Sequence, residues 1–101
     1  MRLDRVEIVL VRPARAANVA AACRALKNMG LRAACLVGPD PGLHDPAARA
    51  LAYGAWDVLD GIRRAASLGE AVAGCTVVAG TSGRPQDDAW TPRRLAADGF
   101  A

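Results

Sequence analysis

The chain is 101 residues long, 52% hydrophobic by residue type, 23% charged and 4% aromatic, which is the size of one globular domain. Its net charge of +3 permits a polyanionic partner without demanding one, and with twelve arginines, one lysine and 23 alanines part of that bias records a genome rich in Arg and Ala codons. No stretch approaches the roughly 20 apolar residues that span a bilayer, and the acid-bearing start MRLDRVEIVLVRP is unlike a secretory signal, so the sequence reads as that of a cytoplasmic protein.

Val6 to Val11 (VEIVLV) is a nearly continuous β-branched apolar run, the pattern of a strand covered on both faces in a parallel sheet. After Pro13, the segment Ala16 to Met29 sets Val19, Ala22, Cys23, Leu26 and Met29 at steps of three and four, one buried helical stripe that Gly30 should end. Arg24 and Asn28 fall on the opposite face, with Ala17, Ala20 and Ala21 beside them. A second strand is expected at Ala33 to Val37, closed by the breaker run Gly38-Pro39-Asp40-Pro41-Gly42. Asp45-Pro46 reads as an N-cap followed by proline at the first helical position, opening a helix that Gly54 can close.

Trp56 to Leu59 reads as a short strand or extended segment. Ser67 and Glu70 have capping-box spacing and should start a short helix that stops at Gly74. A third strand is expected at Cys75 to Ala79, running into Gly80-Thr81-Ser82-Gly83. Beyond Arg84 the chain turns polar, with weak helical character at Pro92 to Ala97. Cys23, Cys35 and Cys75 show neither CxxC nor metal-ligand spacing and read as three buried thiols, so no metal site is expected.

Strands alternating with helices argue for an α/β fold: a Rossmann-like three-layer core on a parallel sheet, one domain over 1–101, well patterned over 1–84 with a polar tail at 85–101. Ligands of such sheets sit beyond the carboxyl ends of the strands, here the loops after Val11, Val37 and Ala79. Neither GxGxxG nor GxxxxGK[ST] follows any strand, which argues against a generic nucleotide-binding domain. His44, the one histidine, sits in the loop LHDP and reads as a loop residue. Tyr53, Trp56, Trp90 and Phe100 read as packing or capping aromatics because they are few and scattered.

The segment PARAANVAAACRALKNMG, residues 13–30, resembles the first motif of the SpoU/TrmH group of RNA ribose methyltransferases, members of the knotted SPOUT class. Asn18, Arg24, Met29 and Gly30 match. Ala20 stands where the family has Gly, adding a methyl group where RNA or a neighbouring subunit is expected to approach. LAYGAWDVL, SLGEAVAGC and TVVAGTSGR extend the likeness from about Arg5 to about Arg94, and it is strongest to the TrmJ-like subgroup that modifies the anticodon loop of transfer RNA.

The resemblance implies an S-adenosyl-L-methionine-dependent 2′-O-methyltransferase of RNA, transfer RNA rather than ribosomal RNA, acting as a homodimer. It makes Arg24 and Asn18 catalytic, Thr81, Ser82 and Gly83 cofactor-binding, and Arg12, Arg15 and Arg24 RNA-binding. Arg24 would hold a phosphate and stabilise the developing ribose alkoxide, with an adjacent RNA phosphate accepting the proton. The family's Gly-Pro-Glu-rich and Ser-Leu-Asn-rich motifs do not occur in these 101 residues. The expectation is therefore the amino-terminal portion of an α/β-knot domain with the knot-forming part missing, inactive alone; the alternative is a non-catalytic RNA-binding or dimerising module derived from such an enzyme.

Overall fold

In the computed structural model, which describes residues 2–81 and 91–99, the chain divides into two units, Arg2–Ala71 and Val72–Ala101. The first opens with a single 3₁₀ turn at Leu3–Arg5 and then alternates strand and helix: β1 (Glu7–Val11), α1 (Ala16–Asn28), β2 (Ala33–Val37), α2 (Pro46–Leu51), α3 (Trp56–Asp60), β3 (Arg63–Ala65) and α4 (Leu68–Ala71). The strands form one parallel sheet in the order β1-β2-β3, with Glu7 opposite Ala33 and Cys35 opposite Arg63. Parallel neighbours cannot be joined by a tight turn, so each connection between these strands carries helix.

The sheet's two faces differ. Ala34 and Leu36 of β2, with Ile8 and Leu10 of β1, face a cluster built from Val19, Ala20, Cys23 and Leu26 of α1 and from Ala52, Ala55, Val58 and Leu59 around α3. Leu36 and Val19 are the largest fully buried side chains, each contributing about 1.5–3 kcal/mol by its removal from water. On the other face lies Cys35, fully buried, its thiol pushed above its ordinary value chiefly by desolvation. Above it the Arg63 guanidinium spans β2 to hold Glu7 at 2.7 and 3.2 Å and donates to the Ala71 carbonyl at the end of α4.

Helix ends follow the sequence signals. Gly30, at φ +81°, closes α1 in a Schellman turn: Leu31 N–H donates to Leu26 O and Gly30 N–H to Lys27 O. Leu31 thereby packs on the core, and Met29 is left 71% exposed instead of extending the stripe. Asp45 caps α2 through Ala47 N–H, with Pro46 in the first helical position. Ser67 Oγ accepts from Glu70 N–H at 3.1 Å, as the capping spacing predicts, although α4 ends at Ala71 rather than at Gly74.

Four further expectations are corrected. Trp56–Asp60 is helical, not extended: Ala55 O accepts from both Val58 and Leu59 N–H, and a helix this short shows no period that would separate its adjacent apolar pair from a strand. Cys75–Ala79 forms no strand; among the described residues it has no ladder partner, and Val77 and Val78 are 46% and 59% exposed. Cys75 is accordingly exposed, so two of the three thiols are buried rather than all three. Ala20 lies in the core at 0% exposure rather than on the polar face of α1, so its methyl group fills this chain's own interior.

Within the second unit, Cys75 N–H closes a turn on Val72 O. Thr91 Oγ1 caps the single turn α5 (Pro92–Arg94) by accepting from Arg94 N–H, and the chain continues as a π-helical turn over Leu95–Gly99. Among the described residues no helix is long and apolar enough to cross a membrane.

Candidate active site

β1 and β2 end side by side. Arg12 N–H donates to Val37 O at 2.8 Å, extending the ladder one residue beyond β1, and the backbone of Arg12 is left-handed at φ +46°. That conformation is uncommon for a residue with a side chain and marks a position fixed by its surroundings. Gly38, at φ +101°, supplies the room: a Cβ there would stand 3.0 Å from Arg12 Cγ. Arg15 follows as the N-cap residue of α1, and Asn18 occupies the first turn, its N–H donating to Arg15 O. All three side chains are exposed and have no hydrogen-bond or ionic partner among the described residues.

Arg24 lies six residues beyond Asn18, about 9 Å further along the helix axis. It too is exposed and without an ionic partner among the described residues. The structure does not bring it to Asn18. It shares a shallow cleft of about 70 Å³ with Lys27, Asn28, Tyr53, Gly54 and Ala55, formed where α1 meets the turn between α2 and α3. Lys27 is engaged by Asp57, whose carboxyl is held below its ordinary value first by that hydrogen bond, so Arg24 carries the cleft's uncompensated positive charge. Tyr53 is 71% exposed, although scattered aromatics suggested packing; its setting between buried Ala52 and buried Ala55, with Gly54 left-handed, is the signal that its ring is turned outward.

A larger cleft of about 380 Å³ is lined by Asp40, Leu43, His44, Arg49, Leu59, Asp60, Ile62 and Arg64. Its charges satisfy one another. Arg49 makes two hydrogen bonds to Asp60, at 2.7 and 3.3 Å, and Arg64 approaches Asp40 at 3.6 Å while donating to Gly38 O. Asp40 is held below its ordinary value mainly by the N–H groups of Leu43 and Gly42, and Asp60 mainly by Arg49.

Of the residues assigned to the cofactor, Thr81 is exposed, while Ser82 and Gly83 lie outside the described residues, as does Trp90. Neither cleft includes Thr81. Among the described residues no three His, Cys, Asp or Glu side chains gather as metal ligands.

Residues 5–90 match the SpoU rRNA Methylase family. Among curated relatives, a tRNA (cytidine/uridine/adenosine-2′-O-)-methyltransferase TrmJ from Pseudomonas aeruginosa is 46% identical over 97 residues, covering 93% of this chain and 37% of the relative. The corresponding cytidine/uridine enzyme of Sodalis glossinidius is 39% identical, over 87% of this chain and 34% of its own length. Among solved structures, a methylase family protein from Neisseria gonorrhoeae superposes with a TM-score of 0.80 at 30% identity, covering 97% of this chain and 55% of that one. TrmJ from Z. mobilis gives 0.64 at 41% identity, over 70% and 32%. The chain thus spans a little over a third of the curated relatives it matches, and over that span it belongs to the SpoU methylase family.

Proposed function

We propose that this chain serves an S-adenosyl-L-methionine-dependent ribose 2′-O-methyltransferase of transfer RNA, working in the cytoplasm as a homodimer and without a metal, and that it is inactive without the family's Gly-Pro-Glu-rich and Ser-Leu-Asn-rich motifs. The observation that carries this reading is Arg24: at the motif spacing from Asn18, in a chain 46% identical to a tRNA 2′-O-methyltransferase, it stands exposed with no internal partner among the described residues. An arginine placed for stability would be expected to meet a carboxylate, as Arg49 meets Asp60.

The bound cofactor supplies an electrophilic methyl group carried on sulfur. The exposed Thr81 hydroxyl, unpaired among the described residues, suits contact with so polar a molecule, and Ser82 and Gly83, next in the sequence, share that assignment. Transfer requires the ribose hydroxyl to be aligned and to lose its proton as it attacks. A guanidinium offers donors and no acceptor, so Arg24 is not the base; its planar fork instead holds a flanking phosphate and stabilises negative charge growing on the oxygen. An RNA phosphate accepts the proton. The exposed Asn18 amide is available to hydrogen-bond the ribose, and Arg12 and Arg15, beside it at the carboxyl end of the sheet, meet the backbone on either side.

Incubating a protein that carries these residues together with the family's Gly-Pro-Glu-rich and Ser-Leu-Asn-rich motifs with labelled S-adenosylmethionine and bulk transfer RNA, then identifying the modified nucleoside, tests the reading. A 2′-O-methylated nucleoside is expected. Tight transfer-RNA binding with no methyl transfer at enzyme excess would overturn it in favour of an RNA-binding module.

A further inference from the structure

We propose that Tyr53 is a stacking platform for one unpaired base of the RNA, whose phosphate is held by Arg24 across the shared cleft. This rests on the reading of Arg24 as an RNA contact and extends it to how a nucleotide is oriented there.

An aromatic ring 71% exposed beside a guanidinium lacking an ionic partner among the described residues is a surface with unspent binding capacity. Its position is fixed before any ligand arrives. Ala52 and Ala55, at 0% and 1% exposure, pin the backbone on both sides of Tyr53 and Gly54. Trp56 meets the ring edge to face, with centroids 5.4 Å apart and planes at 84°, and is itself anchored by its indole N–H on Arg49 O at 2.7 Å. A ring so braced loses little freedom on binding, the condition under which one contact yields the most affinity.

The remaining lining selects the occupant. Gly54 and Ala55 present almost no apolar side chain, so among the residues lining the cleft Tyr53 supplies the one planar group, with Trp56, 41% exposed, against its edge. Lys27 is neutralised by Asp57, leaving Arg24 to attract an anion, and the Asn28 amide can donate to and accept from the edge of a base. A flat face, an anion site and an amide in one cleft match a nucleotide. Its base must be unstacked from its neighbours to reach the ring, so the partner is single-stranded or looped RNA.

Fluorescence anisotropy with two labelled RNAs, a stem-loop and a blunt duplex, tests this in the full chain. Tyr53→Ala and Tyr53→Leu are expected to weaken stem-loop binding about 5- to 100-fold, the usual loss for one base stack, while Tyr53→Phe stays within about twofold. Duplex binding is expected to be unchanged in all three variants. Stem-loop affinity within about twofold of wild type for Tyr53→Ala, or an equal loss on the duplex, would overturn the proposal. So would a loss in Tyr53→Phe matching that in Tyr53→Ala, which would assign the effect to the hydroxyl, or a change of sedimentation in Tyr53→Ala, which would place a second copy on the ring. Arg24→Ala separates the two readings: if it abolishes stem-loop binding while Tyr53→Ala does not, stacking alone is refuted. If Tyr53→Ala loses binding while Arg24→Ala keeps it, stacking stands and the Arg24 role falls.

Discussion

The two arginine-bearing surfaces of the Arg2–Ala71 unit differ in what their guanidiniums touch. In the larger cleft Arg49 and Arg64 each face an aspartate, and Arg64 also reaches the Gly38 carbonyl, so the charge is consumed within the protein. Along the loop after β1 and the outer face of α1, Arg12, Arg15 and Arg24 have no such partner among the described residues. Net charge hides this difference, since every arginine counts alike toward the +3. Partnering separates arginines that fasten the fold from arginines left for a polyanion, and the larger cavity is the less promising of the two.

Arg24→Ala should show the contrast at its largest. In the protein able to methylate transfer RNA, the single-turnover rate is expected to fall about 10²- to 10³-fold, the loss of one preorganised electrostatic donor, with folding stability changed by no more than about 0.5 kcal/mol. Arg24→Lys should rescue poorly, since an ammonium keeps the charge without the fork. A rate within about threefold of wild type in Arg24→Ala would return it to an ordinary surface charge.

Salt titration sharpens the same comparison with a smaller effect. Arg12→Ala or Arg15→Ala is expected to reduce the slope of log K for RNA against log salt by about 0.7 to 1, one phosphate contact each. Arg64→Ala should leave the slope alone. Equal slope changes at Arg12 and Arg64 would erase the distinction.

Arg49→Ala should lower Tm modestly and leave methyl transfer unchanged, because it releases Asp60 and the carbonyl-anchored Trp56 is held by the backbone rather than by the guanidinium. The smallest effect is one of pH. Asp60 and Asp57 have carboxyls depressed in the folded protein by Arg49 and Lys27, so their contribution is present above the unfolded carboxylate value of about 4 and is lost as pH falls through the lower folded value. Urea melts of Asp60→Asn and wild type should differ above about pH 4 and converge only once pH has fallen through the lower folded value. A difference that persists into acid would show that the pair does not control stability there.

How much was legible in the residues follows from how each element is held. α1 is long enough to display a period, β1 stands out as a nearly continuous apolar run, and Gly30, Asp45 and Ser67 carry local chemistry that works whatever surrounds them. β3 was unreadable because its sequence, Arg63-Arg64-Ala65, has no apolar pattern; pairing with β2 and the Glu7 bridge make it a strand. Cys75 to Ala79 is the converse, a strand-like composition with no ladder to join among the described residues. Arg24 was singled out only through its family motif, since an arginine on the polar face of a helix is ordinary. Tyr53 reads in the sequence as a packing or capping aromatic, because one ring carries no period, and only its buried neighbours show which way it faces.

The interior has a composition with its own consequence. Seven of the sixteen buried hydrophobic residues among those described are alanines: Ala20, Ala34, Ala48, Ala52, Ala55, Ala65 and Ala71. Helices and sheet meet there through single methyl groups, so truncating these side chains leaves little to remove, whereas adding two carbons has nowhere to go and costs about 1–3 kcal/mol in a filled interior. Any alanine codon becomes a valine codon by one base change. Overfilling of the core is therefore one base change away at each of these positions, and drift toward larger residues has to be met by shrinkage at a facing position.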